Sequence, residues 1–286
     1  MALADKITPL ILTYNEEPNL RRTLDRLQWA KEVLVVDSYS TDATLSICQS
    51  YANVRILQRM FDTAAAQDNF GLDNVQTEWV LSMDADYVLS EELIRELHEL
   101  PDNPPMYGYF IPFRYCVYGK PLRATLLPPR CSLYRRDKAR YYDDGHTQRV
   151  RIDGVTGALR HHILHDDRKS LSRWLRSQDR YVDLEARKLR DTPANELSFN
   201  DRIRQGKILA PVMVFVYCLT AKGMIFDGWH GWYYTLQRTL AEILLALRLI
   251  EVDRFDVAST IQPPESTSRR SALPKGDDAA VISARR

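Results

Sequence analysis

The sequence predicts an α/β fold with a mainly parallel sheet, followed by a C-terminal helical extension. Short apolar runs alternate with segments of helical periodicity through the first hundred residues. Strands that alternate with helices in this way pair in parallel through right-handed crossovers. Beyond residue 169 the apolar positions recur at helical spacing over three stretches, which predicts the extension.

The strands of the parallel part are predicted at residues 7–13, 32–37, 53–57 and 78–83. Each is a short apolar run, as is typical of strands that are buried on both faces. The helices between them are predicted after Pro18, with Leu20, Leu24 and Leu27 on one face, and at 41–52 and 63–74. Ligands of such sheets bind beyond the carboxyl ends of the strands, so polar residues there are the candidates for function.

From residue 101 the pattern changes to short strands, predicted at 107–113, 115–118 and 131–135. The helices of the extension are predicted at 170–190, 202–221 and 232–251. Residues from 253 onward are rich in Pro, Ser, Arg and Asp, a composition that predicts a disordered tail.

Composition and charge narrow the class of protein. The 286 residues carry a formal net charge of +1, so the overall field does not indicate a nucleic-acid partner. The four cysteines form no Cys-x-x-Cys pair, which argues against a zinc or disulfide framework and favours a reducing compartment. The N-terminus lacks the features of a signal peptide. The longest apolar run, 208–219, contains Pro211 and is shorter than the roughly 18 residues of a membrane span.

Asp84 and Asp86 lie directly after the fourth predicted strand. Two carboxylates two residues apart can approach one divalent ion such as Mg²⁺ or Mn²⁺, directly or through water. The ion would neutralise the charge that builds on a leaving diphosphate. A solvated turn is the alternative for an Asp-x-Asp sequence, but the position at a strand end favours a metal site.

The first two strands also end in polar groups. Asp37 ends the second strand, where its carboxylate could accept a hydrogen bond from a base or a ribose. The alternative is an ordinary turn in which Ser40 or Thr41 is a helix N-cap. Residues 13–17 follow the first strand with hydroxyl, amide and acidic groups, or form a simple polar loop before a helix. Polar groups at three strand ends predict one shared site.

These motifs resemble, in order and spacing, those of the family-2 glycosyltransferases. They are Thr13-Tyr14-Asn15-Glu16-Glu17 with Asn19-Leu20, Val35-Val36-Asp37-Ser38 with Ser40-Thr41-Asp42, and Trp79-Val80-Leu81 with Asp84-Ala85-Asp86. The resemblance resumes at Gly145-His146 and around 165–186. It is closest to the branch that adds sugars to lipopolysaccharide cores and related surface glycans. The resemblance implies the GT-A fold, with a Rossmann-like, mainly parallel sheet.

The resemblance also implies how the chain is divided. Residues 1–100 would form the nucleotide-sugar-binding half of the GT-A domain, and residues 101–168 the acceptor-binding half. Independently of the resemblance, the helical periodicity with its basic and aromatic residues predicts a helical, membrane-associating extension at 169–252, and the composition of 253–286 predicts the disordered tail.

The implied donor is a nucleotide-diphosphate sugar, with UDP as the expected nucleotide, and the implied cofactor is manganese or magnesium. The implied donor-binding residues are Thr13, Asn15 and Glu17 around the nucleoside, Asp37 and Ser38 at the base, Arg59 beside the nucleotide, and Asp84 at the ribose or donor sugar. The expected metal ligands are Asp86 as the principal ligand, Asp84, and His165. Capping of the next helix is the alternative role for His165.

Family-2 enzymes mostly invert the anomeric configuration, which requires a carboxylate to take the proton of the acceptor hydroxyl. Asp144 is the first candidate for this base and Asp143 the second. His146 could orient the base, touch substrate, or simply be a buried histidine. The related branch often has a carboxylate directly after this histidine, where this chain has Thr147, so the choice of base stays open. Residues 178–181 depart from the Gln-x-x-Arg-Trp signature of processive members, which predicts transfer of a single sugar.

The C-terminal third predicts peripheral attachment to a membrane surface. It combines a basic segment at 168–190 with an apolar segment at 208–219 and aromatic residues at 224–234. The expected location is cytoplasmic, on the inner membrane, with a glycan or glycolipid acceptor, no nucleic acid, and oligomerisation left open. Packing against the catalytic domain or a second subunit is the alternative for the apolar surface.

Two other functions are weighed against transfer. A nucleotidyltransferase would favour a Gly-rich loop after the first strand, but residues 14–17 contain no glycine. A non-catalytic nucleotide-sugar-binding scaffold is disfavoured by Asp84 and Asp86, although Thr147 keeps it open.

Overall fold

The computed structural model describes residues 3–144 and 147–255. The strands are β1 (Ile7–Thr13), β2 (Val33–Asp37), β3 (Val54–Gln58), β4 (Trp79–Asp84), β5 (Tyr87–Leu89), β6 (Gly108–Ile111), β7 (Phe113–Val117), β8 (Lys120–Pro121), β9 (Arg130–Arg135), β10 (Ala139–Asp144), β11 (Thr147–Ile152), β12 (Thr156–Ala158) and β13 (Ile163–His165). The α-helices are α1 (Leu20–Asp25), α2 (Thr44–Gln49), α3 (Ala64–Asn74), α4 (Glu91–Glu99), α5 (Leu171–Asp191), α6 (Phe199–Gln205), α7 (Leu209–Leu219) and α8 (Trp229–Phe255).

A seven-stranded sheet forms the centre of the fold, in the order β12-β6-β9-β4-β1-β2-β3. Strands β4, β1, β2 and β3 are parallel, whereas β9 is antiparallel to both of its neighbours. The register pairs Thr13 with Asp37 and Leu12 with Asp84, so the ends of three strands lie at one level. The predicted α/β fold with a mainly parallel sheet and C-terminal helices is confirmed.

The parallel strands are buried on both faces because their alternate residues belong to two apolar clusters. Val33 and Val35 pack in one cluster with Leu24 of α1. Leu34 and Val36 pack in the other cluster, on the side of α3. This two-sided burial is the reason that β1, β2 and β4 are mostly apolar in the sequence. Strand β3, at the edge of the sheet, contains Arg55 and Gln58 and is only partly buried.

Helix α4 is absent from the predictions above, although its signals are present in the sequence. The Ser90 hydroxyl accepts a hydrogen bond from the Leu93 backbone N–H at 3.1 Å, and two glutamates occupy the first turn. Leu93 and Leu97 lie on one face and are fully buried against the central sheet.

The single strand predicted at 107–113 is wrong. Pro112 separates β6, in the central sheet, from β7, in a second sheet of order β5-β13-β7-β8. Proline has no N–H for a strand ladder, so the chain changes sheets at this residue. In the second sheet, β13 pairs antiparallel with β5, which sets His165 opposite Tyr87.

The single helix predicted at 202–221 is also wrong. It is divided into α6 and α7 at Gly206 and Lys207, and Lys207 adopts a left-handed φ of 60°. Pro211 falls in the first turn of α7, where its missing N–H leaves no hydrogen bond unmade. Of the predicted tail, residues 256–286 lie outside the described residues. Within the described part of the chain, no helix combines the length and apolar character needed to cross a membrane.

Candidate active site

Asp37, at the carboxyl end of β2, is fully buried and held by the turn that follows it. Ser40 donates to this carboxylate from its backbone N–H at 3.0 Å and from its hydroxyl at 2.5 Å. Gln58 Nε2 donates a third hydrogen bond at 3.0 Å, which leaves about one acceptor position open. The interpretation of Ser40 or Thr41 as an N-cap is wrong, because α2 begins after Ala43 without a side-chain cap.

Asn15 and Glu17 join the loop after β1 to this same turn. Asn15 has a left-handed φ of 55°, which asparagine tolerates better than most residues. Its Oδ1 accepts a hydrogen bond from the Thr41 N–H at 2.7 Å. Glu17 Oε2 accepts from the Ala43 N–H at 3.3 Å. The predicted nucleoside-binding residues therefore lie beside Asp37.

Thr13 and Ser38 lie where β1 and β2 end side by side. The Ser38 N–H donates to the Thr13 carbonyl at 2.9 Å. The Thr13 hydroxyl is buried and has no hydrogen-bond partner among the residues that the structure describes. A buried hydroxyl in this state is destabilising unless a ligand satisfies it, which supports a ligand-binding role for this edge.

Arg59 follows β3 and reaches the same edge through Gln67. Its Nη1 donates to Gln67 Oε1 at 2.6 Å, and Gln67 Nε2 donates to the Ser38 hydroxyl at 3.0 Å. The guanidinium also forms a two-pronged ion pair with Asp62, at 2.8 and 2.7 Å, which lowers the pKa of Asp62 to about 2. A phosphate that approached Arg59 would therefore compete with the Asp62 carboxylate.

Asp86 is the buried centre of a second cluster, just beyond β4. Its Oδ2 lies 3.2 Å from His165 Nε2, because β13 brings His165 alongside β5. Burial favours a higher pKa for Asp86, but the charges of His165 and Lys169 outweigh it and lower this pKa. Burial favours a lower pKa for His165, but Asp86 raises it. Asp86 Oδ1 is buried and has no partner in the described part of the chain, so an ionised carboxylate keeps one oxygen free.

Lys169 and Glu16 complete this cluster, and neither was predicted as a site residue. Lys169 Nζ lies 2.7 Å from Glu16 Oε1, 3.5 Å from Asp167 Oδ1 and 4.0 Å from Asp86 Oδ2. Burial raises the pKa of Glu16 to about 7; Lys169 opposes this increase and Asp86 adds to it. Glu16 belongs to the first motif and Lys169 follows His165 by four residues, but only folding brings them together. The centre thus contains a fixed positive charge beside Asp86.

Asp84 belongs to a neighbouring polar group. Arg130 Nη1 donates a hydrogen bond to the Tyr87 hydroxyl at 3.4 Å, and after burial the nearby charge of Asp84 raises the pKa of Tyr87. Asp68, on α3, is 2% exposed, and one of its oxygens has no partner in residues 3–144 and 147–255. Burial first, and then the Asp84 charge, raise the pKa of Asp68 to about 8, although Gln148 and Arg130 oppose the increase. The raised pKa favours the protonated form of Asp68, which can donate a hydrogen bond.

The segment proposed to supply the base forms the hairpin of β10 and β11 beside α3. Asp143 Oδ1 accepts a hydrogen bond from the Ala65 N–H at 3.1 Å, in the first turn of α3. The backbone of Asp144 pairs with that of Thr147 at the end of the hairpin. The side chain of Asp144 and the whole of His146 lie outside the described residues. The catalytic roles of Asp144, Asp143 and His146 stay predictions.

Asp86 and His165 fit two positions of a divalent-ion site. Their 3.2 Å approach is close to the roughly 3 Å between adjacent ligands of an octahedral ion with bonds of about 2.1 Å. The free Asp86 oxygen suits Mg²⁺ or Mn²⁺. The described residues hold no group of three or more His, Cys, Asp or Glu that could bind a metal by themselves. Asp84, the third predicted ligand, lies near the Tyr87 hydroxyl, and its role as a metal ligand stays a prediction.

Polar and acidic groups gathered at the carboxyl edge of a mainly parallel sheet define the class of α/β proteins that bind nucleotides at that edge. The sequence profile of glycosyl transferase family 2 matches residues 10–163, more than half of the chain. The chain belongs to glycosyl transferase family 2, as its motifs predicted.

Curated relatives match only part of their own length. The lipopolysaccharide core biosynthesis glycosyltransferase LpsC of Rhizobium meliloti (strain 1021) is 30% identical over 142 residues, which cover 47% of this chain and 53% of LpsC. Glycosyltransferase GlyA of Streptococcus pneumoniae serotype 4 is 34% identical over 107 residues, which cover 35% of this chain and 15% of GlyA. The chain therefore spans about half of LpsC and a small part of GlyA.

The fold is similar to that of a solved mannosyltransferase. PcManGT from Pyrobaculum calidifontis, in complex with GDP-Man and Mn²⁺, superposes with a TM-score of 0.50 at 16% identity, over 87% of this chain and 86% of that protein. At this level of identity the likeness supports the fold alone.

Proposed function

We propose that this chain is an inverting glycosyltransferase that moves one sugar from a UDP-sugar, or another nucleotide-diphosphate sugar, to a lipid-linked or lipopolysaccharide-type glycan. The observation that carries the proposal is the buried Asp86, with one free oxygen, paired with His165 and next to Lys169. This arrangement suits a diphosphate and its cation at the edge where family members bind nucleotides. The name of LpsC supports the acceptor class. PcManGT, which shares only the fold, was solved with GDP-Man and Mn²⁺, a donor and a cation of the classes proposed.

The two clusters bind different parts of the donor, the nucleoside at one and the diphosphate with its cation at the other. The loop at 13–17 and the turn after β2 bind the nucleoside, with the open acceptor position of Asp37 directed to the base. Asp86 and His165 would hold the divalent ion, which supplies Lewis-acid stabilisation of the leaving diphosphate. Lys169 adds a fixed positive charge that attracts the same group without needing to move into place.

The hairpin of β10 and β11 supplies the base for the acceptor. The carboxylate of Asp144, or of Asp143 beside it, takes the proton of the acceptor hydroxyl as that oxygen attacks the anomeric carbon. The bond from this carbon to the diphosphate oxygen breaks as the new bond forms, and its electron pair leaves with the nucleoside diphosphate. One displacement from the opposite face inverts the anomeric configuration. His146 would orient the base.

The C-terminal helices would place this reaction on the cytoplasmic face of a membrane. An exposed apolar surface covers α7, the turn at Met224–Asp227 and α8, and contains Ile208, Leu209, Val212, Val216, Ile225, Phe226, Trp229 and Leu236. We call it the apolar helix surface. Lys222 lies 5.5 Å from the Tyr217 ring, and Arg123 lies 5.7 Å from the Phe226 ring. Aromatic residues bordered by cations suit the headgroup layer of an anionic membrane, which we take as the occupant.

Two alternatives remain to be tested against transfer. A non-catalytic nucleotide-sugar binder would keep the donor site without turnover, but the free oxygen of Asp86 favours catalysis. A nucleotidyltransferase is disfavoured because residues 14–17 after β1 contain no glycine.

Donor-induced thermal stabilisation tests the proposal. UDP-sugars and GDP-mannose are screened with MnCl₂ or EDTA, and a donor at about 100 times its Kd should stabilise the fold by about 2.7 kcal/mol. For a chain of this size we expect a rise in Tm of about 5–10 °C. The manganese-dependent part of this rise should vanish in Asp86→Asn. The exposed-site control Asp137→Asn should behave as wild type.

Nucleoside diphosphate release distinguishes an enzyme from a binder. Wild type should hydrolyse the stabilising donor in a manganese-dependent reaction, in which water takes the sugar and the nucleoside diphosphate leaves. Asp86→Asn should be slower by at least about a hundredfold, as for loss of a transition-state contact. Stabilisation without any release would support the scaffold. No stabilisation by any donor, or an undiminished shift in Asp86→Asn, would contradict the proposed function.

A further inference from the structure

A lysine ammonium lies among the carboxylates of the Asp86 centre. Lys169 Nζ is 2.7 Å from Glu16 Oε1, 3.5 Å from Asp167 Oδ1 and 4.0 Å from Asp86 Oδ2. Only 17% of the Lys169 side chain is exposed. Burial favours a lower pKa for Lys169, but the charges of Asp86 and Glu16 outweigh it and raise this pKa, so the amine keeps its proton at neutral pH. The protein therefore supplies a cation of its own to these carboxylates.

A buried amide holds two of the same carboxylates in place. Asn19 Nδ2 donates to Glu16 Oε2 at 2.9 Å and to Asp167 Oδ1 at 3.1 Å. Asn19 Oδ1 accepts a hydrogen bond from the Arg168 N–H at 3.0 Å, which joins the segment before α5 to the start of α1. This segment is therefore attached to the loop after β1 without the ammonium of Lys169. A purely structural role does not account for a buried charge at this position.

A divalent ion at Asp86 would be repelled by this ammonium. Asp86 Oδ1, which has no partner in the described part of the chain, and His165 Nε2 are the two positions that suit the ion. Lys169 approaches the other oxygen of the same carboxylate. Like charges repel strongly in a buried site, where neither water nor salt screens them well. A diphosphate beside Lys169 would offset its charge, so the ion should bind weakly to the protein alone and more tightly with a nucleotide.

We propose that Lys169 makes binding of the divalent ion depend on the nucleotide diphosphate, because its ammonium lowers the affinity of the Asp86 carboxylate for a cation until the diphosphate offsets that charge. The inference rests on the proposed function and adds a control of the order of binding at the same site. By linkage, the ion should strengthen nucleotide binding by the same factor as the nucleotide strengthens binding of the ion.

Manganese binding to the full chain tests the inference without any measurement of activity. Bound Mn²⁺ loses the sharp electron paramagnetic resonance signal of the free aqueous ion, so a titration gives its Kd with and without UDP. Lys169→Met removes the charge but keeps a long unbranched side chain. Without UDP, we expect this variant to bind Mn²⁺ about tenfold to a hundredfold more tightly than wild type, as for a typical coupling between sites. With UDP, the difference should be smaller.

Three further variants assign the effect to the charge of Lys169. Lys169→Arg keeps the positive charge and should bind Mn²⁺ as weakly as wild type without UDP. The double change Glu16→Gln and Lys169→Met removes both partners of the ion pair and leaves neither charge unpaired. It should also bind Mn²⁺ more tightly than wild type, which keeps the test open if Lys169→Met alone does not fold. Lys6→Met removes a lysine that pairs with Glu78 at the amino ends of β1 and β4, and should have no effect.

Three results would overturn the inference: no gain of Mn²⁺ affinity in either variant that contains Lys169→Met, a gain in Lys169→Arg equal to that in Lys169→Met, or the same Kd in wild type with and without UDP. A manganese-dependent thermal shift with the donor, observed beside such a result, would leave the proposed function standing. Absence of that shift in wild type would instead contradict the proposed function, whatever the Mn²⁺ titrations show.

Discussion

Asp68 shows how burial sets the protonation state of a carboxyl group in this site. Burial first, and then the charge of Asp84, raises the pKa of Asp68 to about 8. Asp143 adds to this increase, whereas Gln148 and Arg130 oppose it. An unfolded aspartate loses its proton near pH 4, so the native state binds the extra proton between about pH 4 and 8. Stability from this proton is complete below pH 4 and is lost as the pH rises through 8.

The change Asp68→Asn should remove this pH dependence. Relative to the variant, wild type should lose up to about 1.4 kcal/mol of unfolding free energy per pH unit between pH 5 and 8. Urea unfolding at several pH values measures the difference. Asp73→Asn, on the same helix and exposed, should show no such trend. Parallel stability profiles for wild type and Asp68→Asn would show that Asp68 ionises normally.

Sequence position reveals some residues of the candidate site and hides others. Asp37 and Asp86 were predicted because each follows a buried apolar strand whose carboxyl end faces the ligand edge. Lys169 was not predicted because it contacts Glu16 only in the folded chain, where the start of α5 packs beside the loop after β1. Asp68 was hidden because its raised pKa depends on burial by β11 and on the charge of Asp84, which no local pattern encodes.

Among the elements, the start of α8 depends on a glycine. A Cβ at Gly231 would lie 1.9 Å from the Met224 carbonyl oxygen, which is backbone and cannot rotate away. Alanine ordinarily stabilises a helix by about 1 kcal/mol relative to glycine, so this contact reverses the usual sign. We expect Gly231→Ala to lower the unfolding free energy by about 2 kcal/mol or more. It should also displace Trp229 and Tyr233 beside it.

Urea unfolding and near-UV circular dichroism measure these two effects. Leu247→Ala, on the exposed side of the same helix, should change the unfolding free energy by less than about 1 kcal/mol. A Gly231→Ala variant as stable as wild type would mean that α8 can move away from the turn at Met224–Asp227 without loss.

The accuracy of the predicted elements follows from the physics of each one. Strands β1, β2 and β4 were found because burial on both faces leaves mostly apolar runs, and the edge strand β3 was found from Val54, Ile56 and Leu57. The break at Pro112 was missed because apolar residues continue across it while the chain changes sheets. The break at Gly206-Lys207 was missed although Gly206 is a local signal for the end of a helix. Helix α4 was missed although the Ser90 cap and its acidic first turn are local signals that the sequence contains.

At the scale of the whole molecule, the second sheet links the donor edge to the helices that carry the apolar helix surface. Helices α7 and α8 pack on the second sheet through Tyr234 and Cys218, which are buried with Val117 of β7. The C-terminal helices are therefore fixed to the half of the domain that carries His165.

The apolar helix surface should determine membrane binding without affecting the donor site. We expect the triple change Val212→Glu, Val216→Glu and Phe226→Glu to weaken sedimentation with phosphatidylglycerol-containing vesicles at least about tenfold. The change replaces apolar side chains that would insert into the lipid by charges of the same sign as the lipid headgroups. The donor-induced thermal shift should be unchanged.

A control with Met60→Glu, Phe61→Glu and Val155→Glu adds the same charge at exposed apolar sites elsewhere and should bind vesicles as wild type. If both triple variants bind equally, the surface does not face lipid. If wild type is a dimer and the first triple variant is a monomer, the apolar helix surface packs against a second copy of the chain instead.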